Sequence, residues 1–103
     1  METKKLTNEE ILKVLREHNN LLEKYRIKKI GLFGSYVRGE QKKDSDIDFL
    51  VEFEKPDFDN FMDLAFYLED LFGKKIDILT PEGVRGIRIK KIAENIERGT
   101  IYV

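Results

Sequence analysis

With 103 residues the chain has enough material for one compact domain with a core and too little for two, so 1–103 is read as a single domain. Charge is abundant but balanced, 19 Lys+Arg against 20 Asp+Glu for a net of −1, and gives no general attraction to DNA, RNA or another polyanion. No apolar run reaches the ~18 residues of a membrane span, and the absence of cysteine beside one histidine excludes disulfides, thiolate metal sites and an ordinary zinc site.

Any metal would therefore be a hard cation held by carboxylates. The opening METKKLTNEE has no apolar signal core, which predicts a cytoplasmic protein. Thr7 and Glu10 have capping-box spacing, and the apolar spacing of Ile11, Val14, Leu15, His18, Leu22 and Tyr25 predicts one helix running to about Tyr25. IKKIGLF, residues 27–33, reads as a short buried strand, followed by a brief turn or helix through GSYVRGE and the polar loop QKKD.

DIDFLVEF, residues 46–53, reads as the second strand. FDNFMDLAFYLEDLFG predicts a second long helix with Gly73 as its C-terminal cap, and KKIDILT a third strand. Pro81 and Gly83 read as punctuation before a last helix from about Val84 to Arg98 that buries Ile89, Ile92, Ala93 and Ile96; TIYV could add an edge strand. Alternating helices and strands predict an α+β (α/β two-layer) domain.

Strand side chains alternate, so Asp46 and Asp48 share one face while Ile47, Phe49 and Val51 face the core. Carboxylates ~7 Å apart along a strand repel by roughly 2 kcal/mol at an effective dielectric near 20, a cost without return unless a cation lies between them. Asp77, between Ile76 and Ile78, joins that face if the two strands are neighbours. Three carboxylates there would suit Mg²⁺, which retains waters and takes further ligands from phosphates. Taken alone, Asp77 is more often a solvated outer-face acid. A simple turn before the strand would account for Asp44 and Ser45, though not for Asp48.

Gly34 and Ser35, at the end of the first strand, offer exposed backbone N–H groups, a small hydroxyl and no bulk, a natural phosphate cradle. No Gly-Lys-Ser/Thr follows and there is no GxGxxG, so this is neither a P-loop nor a dinucleotide fingerprint; by itself Gly-Ser is more often a plain turn. The combination G-S-x10-D-x-D is rarer, arising by chance in roughly one chain of this length in a thousand.

This segment resembles the active site of the DNA polymerase β nucleotidyltransferase superfamily, and GSYVRGE…SDIDFLV looks in particular like the minimal nucleotidyltransferase (MNT) domains of prokaryotes. The resemblance spans essentially the whole chain, and implies a short mixed sheet flanked by helices. It implies that Gly34 and Ser35 hold a nucleotide triphosphate, that Asp46 and Asp48 hold two Mg²⁺ ions, and that Asp77 shares one ion and helps deprotonate the attacking hydroxyl. Arg38 could reach a phosphate or be a surface arginine.

Relatives that extend nucleic acids or modify antibiotics carry further domains for the acceptor. The resemblance instead implies an antitoxin that transfers AMP from ATP to a tyrosine of a HEPN-domain ribonuclease toxin. The alternatives are a binding-only antitoxin with a vestigial site and a small-molecule nucleotidyltransferase. Phe66, which helical spacing places beside Asp59, Asp63 and Asp70, is a candidate partner contact; His18 and the basic run Arg85, Arg88, Lys90 and Lys91 are read as structural or solvated.

Overall fold

The computed structural model describes residues 6–55, 57–87 and 90–103. Ten elements follow in chain order: α1 Asn8–Glu17, α2 Leu21–Lys24, β1 Ile27–Phe33, α3 Ser35–Arg38, β2 Ile47–Phe53, α4 Phe58–Phe72, β3 Ile76–Leu79, α5 Pro81–Arg85, α6 Lys90–Arg98 and β4 Ile101–Tyr102. The strands form one mixed sheet in the order β3-β2-β1-β4. β1 runs antiparallel to both β2 and β4, and β2 runs parallel to β3. The tail thus supplies the edge strand that its sequence suggests.

One face of the sheet carries the larger core. Ile47, Phe49 and Val51 are fully buried there, in one cluster with Ile11 and Leu15 of α1 and with Leu64 and Leu68 of α4. Aromatic pairs tie α4 down along its length, Phe49 to Phe72 with ring centres 6.0 Å apart and Phe53 to Phe61 at 6.1 Å. α4 starts where Asp57 accepts hydrogen bonds from the N–H groups of Asp59 and Asn60, and ends at Gly73 in the left-handed conformation, as expected of that glycine.

The opposite face is not left open to solvent. Phe33, Leu50 and Val84 form a second, smaller cluster, with Leu79, Ala93 and Ile96 packed against it. Residues two apart on a strand share a face, so Asp48 lies on the Leu50 side and Asp77 on the Leu79 side, at the margin of this second cluster.

Three expectations need correction. The first helix breaks at His18–Asn20, because the His18 backbone N–H bonds back to the carbonyls of Val14 and Leu15 and closes α1. Asparagine pairs favour turns, and the apolar periodicity resumes in α2 after the break. At the other end of the chain Pro81 does not precede the helix but begins one: it is the first residue of α5, Thr80 caps the turn by accepting from the Gly83 N–H, and α6 follows as a separate helix. Finally, Ile92, expected to be buried by the last helix, is 46% exposed. Ile89 and Arg88 lie outside the described residues. Thr7 does cap α1, accepting from the Glu10 N–H, and His18 bonds through Nδ1 to the Val14 carbonyl at 2.7 Å.

Candidate functional site

β1 delivers the chain to Gly34, which sits at φ +83 and ψ −150 between the strand and α3. Only glycine adopts this backbone readily. A second constraint lies across the sheet: a Cβ at position 34 would collide with Asp48 Oδ2. The Gly34 turn and the Asp48 carboxylate therefore occupy one spot, consistent with the pairing of Phe33 with Asp48. Ser35 begins α3 and is half-buried, and its carbonyl accepts from the Glu40 N–H. Arg38 closes the helix, exposed, with Nε 3.1 Å from Glu40 Oε2.

The parallel register then places Asp48 directly opposite Asp77. The condition attached to Asp77, that its strand neighbour the one bearing Asp48, is met. Asp46 stands one residue ahead of β2, at the end of a loop that is well anchored. In that loop Ser45 Oγ accepts from the Lys42 N–H, Ile47 N–H donates to the Lys75 carbonyl, and the Lys74 ammonium donates to the Lys43 carbonyl.

The electrostatics follow from this crowding. Burial raises the Asp48 carboxyl to about 6, and the charges of Asp77 and Asp46 push the same way; the Arg38 guanidinium opposes them. A hydrogen bond with the Asp77 side chain adds a smaller push in the same upward direction. Among the described residues no three carboxylates stand near enough together to enclose an ion unaided. Mg²⁺ needs only one or two carboxylates, with waters and substrate phosphates completing its shell, so the facing pair Asp48 and Asp77 would suffice to hold it. The donor set is oxygen only, as a hard cation requires.

Two hollows open on the molecule, one beside this cluster and one away from it. One of about 440 Å³ lies between α3 and α6 on the same side of the sheet as Asp48. The other, of about 350 Å³, opens at the far end of β2 between Phe53, Phe58, Phe61 and Thr80 and shares no residue with the acidic cluster. Among the described residues no helix is long and apolar enough to cross a membrane.

The family model of the nucleotidyltransferase domain matches residues 9–103. The chain belongs to that family. Among its relatives, Protein adenylyltransferase MntA of Thermococcus cleftensis is 42% identical over 100 residues, covering 95% of this chain and 97% of its own. A Methanocaldococcus jannaschii protein named as a candidate protein adenylyltransferase is 44% identical over 101 residues, covering 94% and 98%. A solved minimal nucleotidyltransferase superposes with a TM-score of 0.74 at 28% identity, over 96% of this chain and 98% of that one. A toxin–antitoxin complex with AMP-PNP shares the fold at a TM-score of 0.63 and 23% identity, over 84% of this chain and 69% of that one. The fold is thus that of a minimal nucleotidyltransferase, as the resemblance of the Gly-Ser and Asp-x-Asp segment implied.

No sequence motif marks the hollow between α3 and α6. Its α6 residues, Ile92, Asn95 and Ile96, are spaced as one helical face; Ile96 packs on the second cluster as expected of a core residue, while Ile92 stays exposed and Asn95 carries no signal in the sequence.

Proposed function

We propose that the protein transfers AMP from ATP, with Mg²⁺, to a tyrosine hydroxyl of a HEPN-domain ribonuclease toxin and thereby neutralises it. The observation that carries this reading is the side-by-side placement of Asp48 and Asp77 against the Gly34 turn. It is supported by relatives above 40% identity that carry the name protein adenylyltransferase. The antitoxin role draws on fold neighbours described as toxin–antitoxin complexes, one of them a tri-AMPylated Shewanella oneidensis HEPN toxin with its MNT antitoxin.

In this reading Asp48 and Asp77 would hold the metal with Asp46 beside them, and the backbone at Gly34–Ser35 with the Arg38 guanidinium would hold the triphosphate. Bound Mg²⁺ supplies positive charge to the phosphoryl oxygens and to departing pyrophosphate. The acceptor oxygen attacks the α-phosphorus, the bond from that phosphorus to the β-phosphate bridge oxygen breaks, and pyrophosphate leaves. Asp77 draws the proton from the attacking hydroxyl. Gly34 keeps the space between strand and phosphate clear, since any side chain there would fill the position of the Asp48 carboxylate.

Incubating the protein with ATP, Mg²⁺ and the HEPN-domain protein of its own locus should raise the partner's intact mass by whole AMP units. Asp48→Asn should abolish that gain and the loss of RNase activity together. An unchanged partner mass, with RNase activity nevertheless suppressed, would replace transfer by simple binding. Phe66 is 57% exposed among acids on α4, and offers the partner an apolar contact. Phe66→Ser should weaken the complex about tenfold or more by calorimetry without moving the melting temperature.

A further inference from the structure

The hollow between α3 and α6 is adjacent to the acidic cluster but contains none of its carboxylates. We propose that it receives the base of the bound nucleotide and that Asn95 reads the base's hydrogen-bonding edge; the assignment rests on the nucleotide-transfer reading above.

Four observations converge. Position comes first. Gly34 and Arg38 line the mouth of the hollow, and Phe33, its neighbour on β1, pairs with Asp48. A triphosphate held at Gly34 and Arg38 beside the acids would have the hollow directly next to it on the same face of the sheet. Arg38 is bonded through Nε to Glu40, and its guanidinium already acts on the Asp48 carboxyl, so its charge lies where a phosphate at that mouth would be held. Size is the second point: about 440 Å³ falls within the roughly 300–1,000 Å³ of small-molecule sites.

The third observation is the chemistry of the walls. Phe33, Val37, Ile92 and Ile96 are apolar, which suits the faces of a flat heterocycle, and one polar side chain, Asn95, stands among them. A base lodged between apolar walls and read along one edge by hydrogen bonds is the usual recognition pattern for an unpaired nucleobase. The fourth is what remains unused. Ile92 is 46% exposed on the hollow's helical face. The Asn95 carboxamide bonds to no described residue, while its backbone carbonyl takes the Gly99 N–H. A carboxamide carries both a donor and an acceptor, so it can donate to adenine N1 and accept from the adenine amino group. The groove at Phe53 and Phe58 offers no such continuity with the acids.

The test uses calorimetry with Mg²⁺ and three probes: ATP, GTP and inorganic tripolyphosphate, which carries the phosphates without a base. Wild type should bind ATP more tightly than tripolyphosphate. Ile92→Trp, which fills the hollow from an exposed position, should lower ATP affinity about tenfold or more and leave tripolyphosphate unchanged. Asn95→Asp presents only acceptors, which oppose adenine N1 and suit the guanine N1–H and amino group. It should therefore lower the ATP-to-GTP affinity ratio about tenfold.

Folded variants that keep wild-type ATP affinity and the wild-type ratio would overturn the assignment, and so would a loss that weakens ATP and tripolyphosphate equally. Asn95→Ala guards against a variant that fails to fold: it should weaken ATP alone. If wild type binds tripolyphosphate but gains nothing from the base, the hollow is not a base site although the phosphate reading stands. If wild type binds none of the probes, the nucleotide reading falls and this one with it.

Discussion

Asp48 carries a cost that the folded chain bears until something positive arrives. Its carboxyl is pushed to about 6 in the fold, first by burial and then by Asp77 and Asp46, against an ordinary value of 3.8. The sign follows from linkage. An acid that is harder to ionise in the fold than in the unfolded chain contributes no penalty below about pH 4, and stability falls as pH rises through about 6. Without metal, thermal melts should therefore show a downward slope between pH 4 and 6 that Asp48→Asn flattens. At pH 7 that variant should gain up to about 1 kcal/mol once solvent screening is allowed for, worth roughly 4 °C in melting temperature, while transfer activity is lost. Wild type should regain the difference when Mg²⁺ is added.

Gly34 makes the complementary prediction. Gly34→Ala places a Cβ against Asp48 Oδ2 at a backbone angle that L-residues rarely adopt. It should cost about 1–3 kcal/mol in urea melts and abolish Mg²⁺-dependent nucleotide uptake. Strand period points to Asp48 on its face of β2, whereas Asp46 stands one residue ahead of the strand, where that period no longer governs. The proximity of Gly34 to Asp48 is not legible in the sequence, because only the cross-strand register brings position 33 opposite position 48.

At the scale of elements, caps were the most readable signals. Thr7 and Gly73 both hold the ends assigned to them, because each satisfies backbone groups that the helix itself leaves unpaired. Asp57 went unread as a cap, although it accepts from two N–H groups at the start of α4. Asp57→Ala should cost about 1 kcal/mol by chemical denaturation without altering nucleotide binding. Periodicity was less reliable. It identifies which residues share a helical face but not whether anything covers that face, so Ile92 reads as buried where the core does not reach it. It also continued across His18–Asn20, where the chain turns. Pro81 was misread for a related reason: proline both interrupts helices and begins them, and Thr80 settles which.

For the whole molecule, alternating helices and strands gave the class of fold but not the order of its strands. That order is what assembles the site. A parallel pair needs a crossover, and α4 provides it between β2 and β3, burying Leu64 and Leu68 against the sheet. Sequence showed an acid in each of these strands; it could not show that the crossover would stop in the register that sets one opposite the other.

The four-residue β3 lies at the margin of the sheet, bonded to β2 alone. Short, peripheral strands open before central ones. Amide exchange should therefore release residues 76–79 well before residues 47–53, and Asp77 would drift from its partner while the rest of the protein stays folded. Cargo that bridges the two carboxylates would clamp that margin shut. The molecule would then be most cohesive when loaded, and would shed its protected amides at the outermost strand first once empty.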